Sequence, residues 1–361
     1  MSDPVRILLV DDSEIFTDLM ERAIASDGRA ILAGVARNGH EAVEQARRLK
    51  PDVISMDVYM PGMDGIDAVL QIMDETPTPI LMVTAANSDE MTHISFRAIG
   101  GGALDVLEKP AGAAEAKGVV TRLRLMAGVK VTRRPRPRTR VAAGSVPRPG
   151  ASAGRAGDEV GRLWSPGQRL RRVDVVAVAI STGGPPVLER VLRALDTDWN
   201  ASLVVVQHLS PGFGGHLVDW LGHSSGIPVE LATSASRLRP GAAFLAPADA
   251  HIVLKMGGRL LVDPERERVD GHRPSGTILF ESVATAYGPR AAGIVLTGMG
   301  HDGAKGLLKL REAGGLTAAQ DHASSAVDGM PRAARELGAA EHVVALEDLS
   351  DFVRTLGKGQ E

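Results

Sequence analysis

The chain of 361 residues contains no cysteine. This absence excludes a disulfide framework, a thiolate zinc site and a thiol nucleophile, and it gives no sign of an oxidising compartment. No apolar run reaches the roughly 18 residues of a membrane span. The N-terminus leads directly into a short apolar run and lacks the pattern of a signal peptide. We therefore expect a cytoplasmic protein with no membrane insertion.

The small net charge of −3 is distributed unevenly along the chain. Residues 1–128 carry a net charge of −8, residues 129–172 carry +10, and residues 173–361 carry −5. Since domains commonly span roughly 100–200 residues, the length also suggests two domains. We predict an N-terminal domain over 1–125, a basic flexible linker over 126–172 and a second domain over 173–361.

The predicted linker is rich in arginine, proline and glycine, most densely from Arg133 to Arg140. Such a segment buries too little apolar surface to offset the entropy of ordering it. Its positive charge could also bind a nucleic acid or another anionic surface. No aromatic residues are interleaved with the arginines, so we favour a solvated tether.

Short apolar runs alternate with helical patterns in both predicted domains, which favours parallel sheets covered on both faces. The sequence therefore predicts an α/β fold of two doubly wound domains. The predicted strands are Val5–Val10, Ala30–Val35, Val53–Met56, Ile80–Thr84 and Ala103–Leu107 in the first domain, and Val173–Ile180, Ser202–Gln207 and Ala292–Leu296 in the second.

Polar residues follow the predicted strands of the first domain. Asp11 and Asp12 follow the first strand and Asp57 follows the third, so their carboxylates meet where ligands collect on such sheets. Oxygen ligands of this kind suit Mg²⁺. Thr84 ends the fourth strand and Lys109 follows the fifth, where they could hold a phosphoryl group on an aspartate. Solvated acidic strand ends are the alternative.

Four segments surround these residues: Val10–Ser13, Met56–Gly65, Val83–Ala85 and Lys109–Pro110. Through these segments, residues 4–125 resemble a response-regulator receiver domain. The resemblance implies that Asp57 is the phospho-acceptor, that Asp11, Asp12, Asp57 and the carbonyl of Tyr59 bind Mg²⁺, and that Thr84 and Lys109 contact the phosphate. Val106 departs from the usual aromatic switch residue, and Tyr59 stands where a polar residue is more common.

The second domain presents a candidate nucleophile. Ser181 follows a predicted strand and precedes Thr182, Gly183 and Gly184. A serine at a tight strand-to-helix turn exposes its hydroxyl close to helix N–H donors. A plain helix-capping serine is the alternative.

A nucleophilic serine needs a base and an orienting carboxylate. His208 directly follows the next predicted strand along the chain, at the same sheet edge as Ser181, whereas the rival histidines His251, His272 and His301 lie in turn-like sequence. Asp302 lies in a glycine-rich turn whose backbone N–H groups could form an oxyanion hole. The order Ser, His, Asp along the chain differs from that of α/β-hydrolases.

Five segments of the second domain surround these residues or lie between them and the C-terminus: Ala179–Gly184, Val206–Phe213, His272–Ser275, Leu296–Ala304 and Gly329–Arg332. Through these segments, residues 173–355 resemble the catalytic domain of the chemotaxis protein-glutamate methylesterases, the CheB family. The resemblance implies Ser181 as nucleophile, His208 as general base and then acid, Asp302 as orienter and the Met299 N–H as oxyanion donor. It implies hydrolysis of γ-glutamyl methyl esters and deamidation of glutamines on chemoreceptor helices, with a chemotaxis histidine kinase as phosphodonor.

Three other functions remain open at this point. A DNA-binding response regulator could use the basic linker, but residues 173–361 are mildly acidic and lack a clear helix-turn-helix. We therefore expect no nucleic-acid partner. A non-catalytic adaptor would dock on receptors without chemistry, and a hydrolase of another ester would share the same serine chemistry.

Overall fold

The computed structural model describes residues 3–85, 98–129, 131, 161–209 and 213–358. It contains two parallel sheets, one formed by strands between residues 5 and 108 and the other by strands between residues 162 and 344. This confirms the predicted α/β class with two doubly wound sheets. Most of the predicted linker lies outside the described residues.

The first sheet has five strands in the order β2-β1-β3-β4-β5, and every pair is parallel. Alternate residues of β1 enter two different cores: Leu8 packs on one face and Leu9 on the other. The strands are β1 Val5–Val10, β2 Ala30–Ala36, β3 Val53–Met56, β4 Ile80–Thr84 and β5 Asp105–Glu108, and the helices are α1 Glu14–Asp27, α2 Gly39–Leu49, α3 Gly65–Glu75 and α4 Ala113–Met126.

The second sheet has eight strands in the order β6-β15-β14-β13-β7-β8-β10-β9, all parallel. The strands are β6 Arg162–Leu163, β7 Val175–Ile180, β8 Ser202–Gln207, β9 Val229–Leu231, β10 Ala242–Leu245, β13 Ala291–Val295, β14 Leu316–Gln320 and β15 His342–Val344. Its helices are α5 Gly184–Arg193, α6 Gly214–Ser224, α7 Gly276–Tyr287, α8 Ala304–Glu312, α9 Met330–Glu336 and α10 Leu346–Lys358.

A separate antiparallel hairpin interrupts the second domain between β10 and α7. It pairs β11, His251–Lys255, with β12, Arg259–Asp263. The chain then returns through residues 264–275 to the start of α7. This return segment passes the carboxyl ends of the central strands, where the candidate catalytic residues lie.

The second domain begins earlier in the chain than the predicted boundary at residue 173. Residues Arg162–Leu163 pair with β15, and Trp164 is buried with its ring edge-on to Phe352 at 5.3 Å. A two-residue edge strand is too short to show the alternating pattern by which strands are predicted from sequence. Because its surroundings are rich in arginine, the strand falls within the linker predicted from the sequence. The structured part of the second domain therefore includes residues 161–172.

Among the residues that the structure describes, no helix combines the length and apolarity needed to cross a membrane.

Candidate active site and phosphorylation site

Ser181 lies at the carboxyl end of β7 in a turn that backbone contacts hold tightly. Its N–H donates to Thr297 O at 2.9 Å. The N-cap of α5 is Gly183, in the left-handed region at φ 76°, and no side chain caps this helix. A Cβ at Gly183 would lie 2.6 Å from that of Ala326, so the turn requires glycine. Ser181 is therefore not the capping serine that the sequence left as an alternative.

His208 follows β8, whose last residue pairs with the last residue of β7. The histidine and Ser181 thus leave adjacent strands at the same edge of the sheet. Its Nε2 lies 2.9 Å from Asp302 Oδ2. Its Nδ1 is buried and has no hydrogen-bond partner in the described part of the chain. If Nε2 carries the proton toward the carboxylate, Nδ1 is the nitrogen available to accept another.

Asp302 is fully buried and accepts hydrogen bonds on both oxygens. Oδ1 accepts from Ser275 Oγ at 2.7 Å and from Thr277 N at 3.1 Å. Oδ2 accepts from Gly276 N at 2.6 Å, beside the contact with His208. Burial alone would raise the pKa of Asp302, but hydrogen bonds from His208, Ser275 and Gly276 outweigh it and hold the pKa below its usual range. The carboxylate therefore stays ionised and can orient a histidine.

The glycine-rich turn after β13 lies against Ser181. Gly298 donates to Val327 O at 2.9 Å, and a Cβ at Gly298 would lie 2.8 Å from that of Ser181. Met299 follows, and its side chain is partly exposed. Within the described residues, no hydrogen bond is recorded from the Met299 N–H. This turn can therefore present a backbone donor next to the serine.

The three rival histidines occupy different positions. His251 is fully buried, where its Nδ1 accepts from Ser275 N at 3.2 Å. His301 is mostly exposed and lies 3.6 Å from Asp270. His272 stacks on the ring of His208, with centroids 4.1 Å apart. Sequence reasoning therefore missed that His272 belongs to the site, although the segment His272–Ser275 carried the family resemblance.

The carboxylates at the edge of the first sheet converge as predicted from their strand ends. One oxygen each of Asp11, Asp12 and Asp57 lies within 4.8 Å of the others. Lys109 Nζ lies 2.7 Å from both Asp11 Oδ2 and Asp57 Oδ2. Burial and the charge of Asp57 raise the pKa of Asp11 to about 6, against the opposing effect of Lys109. Such crowded oxygen donors fit a divalent cation such as Mg²⁺.

The surroundings of Asp57 fit a phosphoryl group. Thr84 Oγ1 is buried and lacks a hydrogen-bond partner within the described residues. Hydrogen bonds to Asp11 and Asp57 raise the pKa of Lys109, although burial opposes this, so its ammonium is charged. Val106 is buried, and Tyr59 is 40% exposed. An unpartnered hydroxyl and a cation thus lie at the same sheet edge.

The two domains meet beside Ser181. A cleft of about 720 Å³ lies between residues 102–104 of the first domain and Gly183 with residues 322–328 of the second. Asp105, at the start of β5, is buried, and burial raises its pKa. The Arg122 guanidinium, whose Nη1 lies 3.8 Å from Asp105 Oδ2, favours the charged form of this carboxyl. The first domain therefore lines one side of a cleft next to the turn that follows the candidate nucleophile.

Comparisons with known proteins agree with this two-part architecture. The family model of the response regulator receiver domain matches residues 7–121, and that of the CheB methylesterase matches residues 176–353. Protein-glutamate methylesterase/protein-glutamine glutaminase 2 of Anaeromyxobacter dehalogenans (strain 2CP-C) is 43% identical over 98% of this chain and 97% of the relative. The chain belongs to the CheB methylesterase family.

Further relatives extend the same match. Protein-glutamate methylesterase/protein-glutamine glutaminase 4 of Myxococcus xanthus (strain DK1622) is 40% identical over 99% of this chain and 98% of the relative. The crystal structure of the Thermotoga maritima CheB methylesterase catalytic domain is 32% identical and covers 51% of this chain and 98% of that chain, with a TM-score of 0.49. The full-length match to the curated relatives confirms both family resemblances seen in the sequence.

Proposed function

We propose that this CheB-family chain is a phosphorylation-activated serine hydrolase that demethylates glutamate γ-methyl esters on chemoreceptors and deamidates receptor glutamines. The observation that carries the proposal is the environment of His208: Nε2 contacts the ionised Asp302, while the buried Nδ1 has no partner among the described residues. The names of the relatives supply the substrate class.

In the first half-reaction, Ser181 Oγ attacks the ester carbonyl as His208 Nδ1 takes the serine proton. Asp302 holds the ring through Nε2 and stabilises the imidazolium that forms. The Met299 N–H stabilises the oxyanion. When the tetrahedral intermediate collapses, the proton on Nδ1 passes to the leaving oxygen, and methanol departs.

The second half-reaction is hydrolysis of the acyl-enzyme. His208 takes a proton from water, the hydroxide attacks the Ser181 ester, and the proton passes to Ser181 Oγ as the glutamyl side chain leaves as a carboxylic acid, which then loses its own proton to solvent. A glutamine amide follows the same route with ammonia as the leaving group. One site therefore serves both reactions because the tetrahedral intermediates share the same geometry.

The receiver domain supplies the control. Asp57 accepts the phosphoryl group from a chemotaxis histidine kinase, and Thr84 and Lys109 contact the phosphate. Asp11, Asp12, Asp57 and the Tyr59 carbonyl would hold Mg²⁺. When bound at these ligands, Mg²⁺ would supply charge neutralisation for phosphoryl transfer.

The cleft that residues 102–104 of the receiver and Gly183 line together supports a closed, unphosphorylated state in which the receiver covers the esterase site. Phosphorylation of Asp57 activates the esterase only if it stabilises the open state more than the closed state. We place the protein in the cytoplasm, where the chemoreceptor helices and the kinase are its partners.

The test is methanol release from a methylated chemoreceptor by the wild type and by Ser181→Ala. We expect Ser181→Ala to lower turnover by at least about 10³-fold, because the nucleophile is lost while the turn, held by its backbone, remains. The matched control is Ser350→Ala on the exposed side of α10, which removes only a bond to Arg190 O. It should retain wild-type turnover.

Residual activity of Ser181→Ala within a few-fold of the wild type would refute the nucleophile assignment. A wild type without methanol release but with Ser181-dependent cleavage of another ester would favour a different substrate. A wild type that binds receptors and cleaves no ester would favour the adaptor function.

A further inference from the structure

The ring of His272 lies flat against the ring of His208. The two centroids are 4.1 Å apart and the planes differ by 3°. His272 is half-buried in the return segment between β12 and α7. The catalytic steps proposed above assign no role to this ring.

We propose that His272 is a positioning residue: its ring holds His208 in the orientation for proton transfer, and its π face stabilises the protonated form of His208. The inference rests on the proposed function, because it takes His208 as the base. It adds a fourth side chain that acts on the reaction through the base rather than through the substrate.

The electrostatic surroundings keep His272 neutral. Burial lowers the pKa of His272, and the neighbouring His208 lowers it further. Asp302 opposes this shift, while His301 and Arg122 reinforce it. A neutral imidazole attracts a cation to its face, whereas two stacked imidazolium rings would repel each other. The stack therefore favours a single positive charge, on His208.

The backbone holds His272 in place without help from its own ring. Val269 and His272 exchange two backbone hydrogen bonds, of 3.1 and 2.9 Å. Asp270 and Gly271 form the turn between them in the left-handed region. Arg273 donates two hydrogen bonds to Asp249. A substitution of the His272 ring should therefore leave the segment folded.

The same segment also fixes the partner of His208. Three residues after His272, Ser275 donates to Asp302, and the backbone N–H groups of Gly276 and Thr277 follow. The return segment therefore holds the Asp302 carboxylate at the Nε2 edge of His208 and places the His272 ring against the face of the His208 ring. Of the polar positions on the base, only Nδ1 is left for the reaction.

The experiment compares His272→Leu and His272→Phe in the full chain, with a methylated chemoreceptor as substrate. Leucine fills the space without a π face, whereas phenylalanine keeps the π face. We expect His272→Leu to lower kcat by about three- to tenfold with little change in KM, and to move the acidic limb of the kcat/KM profile to lower pH. His272→Phe should restore most of kcat and the position of that limb.

The matched control is His223→Leu, which removes an exposed histidine from the last turn of α6 in the same domain. It should keep the wild-type rate and profile. If the melting temperature shows that His272→Leu is unfolded, His272→Asn, which is smaller and polar, gives the same comparison.

Wild-type kcat and an unmoved pH profile in a folded His272→Leu variant would overturn the inference. So would a His272→Phe variant as slow as the leucine variant. Turnover that survives Ser181→Ala refutes the proposed function instead, so the two failures are distinguishable in one assay.

Discussion

Asp302→Asn tests how far the esterase site depends on one buried carboxylate. Asp302 accepts two hydrogen bonds on each oxygen, and an amide NH₂ at either position cannot accept any of them. With the NH₂ at the Oδ2 position, Gly276 N–H loses its acceptor and His208 must shift its proton to Nδ1. With the NH₂ at the Oδ1 position, the Ser275 hydroxyl can turn to accept, but Thr277 N–H is left without a partner.

Either arrangement leaves one buried backbone donor unsatisfied, which costs about 1–3 kcal/mol of the free energy of unfolding. Both also remove the negative charge that stabilises the His208 imidazolium, so we expect kcat to fall by about 10³- to 10⁴-fold. Thermal unfolding and methanol release measure the two effects on the same sample. A variant with wild-type stability and a rate within tenfold of the wild type would refute this account of Asp302.

Two further predictions concern the phosphorylation site and the oxyanion turn. Burial and Asp57 raise the pKa of Asp11 from 3.8 to about 6, so the folded receiver binds a proton there more tightly than the unfolded chain does. The receiver therefore loses stability as the pH rises from 3.8 to about 6. Mg²⁺ should therefore raise the melting temperature more at about pH 7.5 than at about pH 5. An equal rise in melting temperature at both pH values, or no rise, would contradict a Mg²⁺ site at these carboxylates. Asp12→Asn should reduce the rise that Mg²⁺ causes. Gly298→Ala places a Cβ 2.8 Å from that of Ser181, so kcat should fall by about tenfold or more while the receiver still binds Mg²⁺. An active Gly298→Ala enzyme would show that the turn tolerates displacement.

The limits of the buried strands, and the residues that directly follow them, are what the sequence predicted best. The predicted strands Val53–Met56 and Ile80–Thr84 coincide with β3 and β4, because continuous apolar runs in a two-sided core have clear limits. Once the sheets are parallel, Asp57 and Asp11 must meet at one edge, and the convergence of their carboxylates follows. The same reasoning placed Ser181 and His208 at the same edge of the second sheet.

Contacts made by turns and edges could not be predicted in this way. Arg162–Leu163 is too short to show a period, and its membership of the sheet depends on pairing with residues 180 positions later in the chain. The stack of His272 on His208 joins two segments whose approach is set by the turn at Asp270. No local pattern encodes either contact, because both arise only when the whole domain has packed.

The most direct test of the account is methanol release from a methylated chemoreceptor, measured with Mg²⁺ in the presence and absence of a small phosphodonor. If the receiver covers the esterase site and phosphorylation of Asp57 opens it, the phosphodonor should increase the wild-type rate, and Asp57→Asn should abolish that increase. Ser181→Ala should give no release under either condition. A wild-type rate that the phosphodonor leaves unchanged, or an Asp57→Asn variant that is activated as strongly as the wild type, would contradict the account.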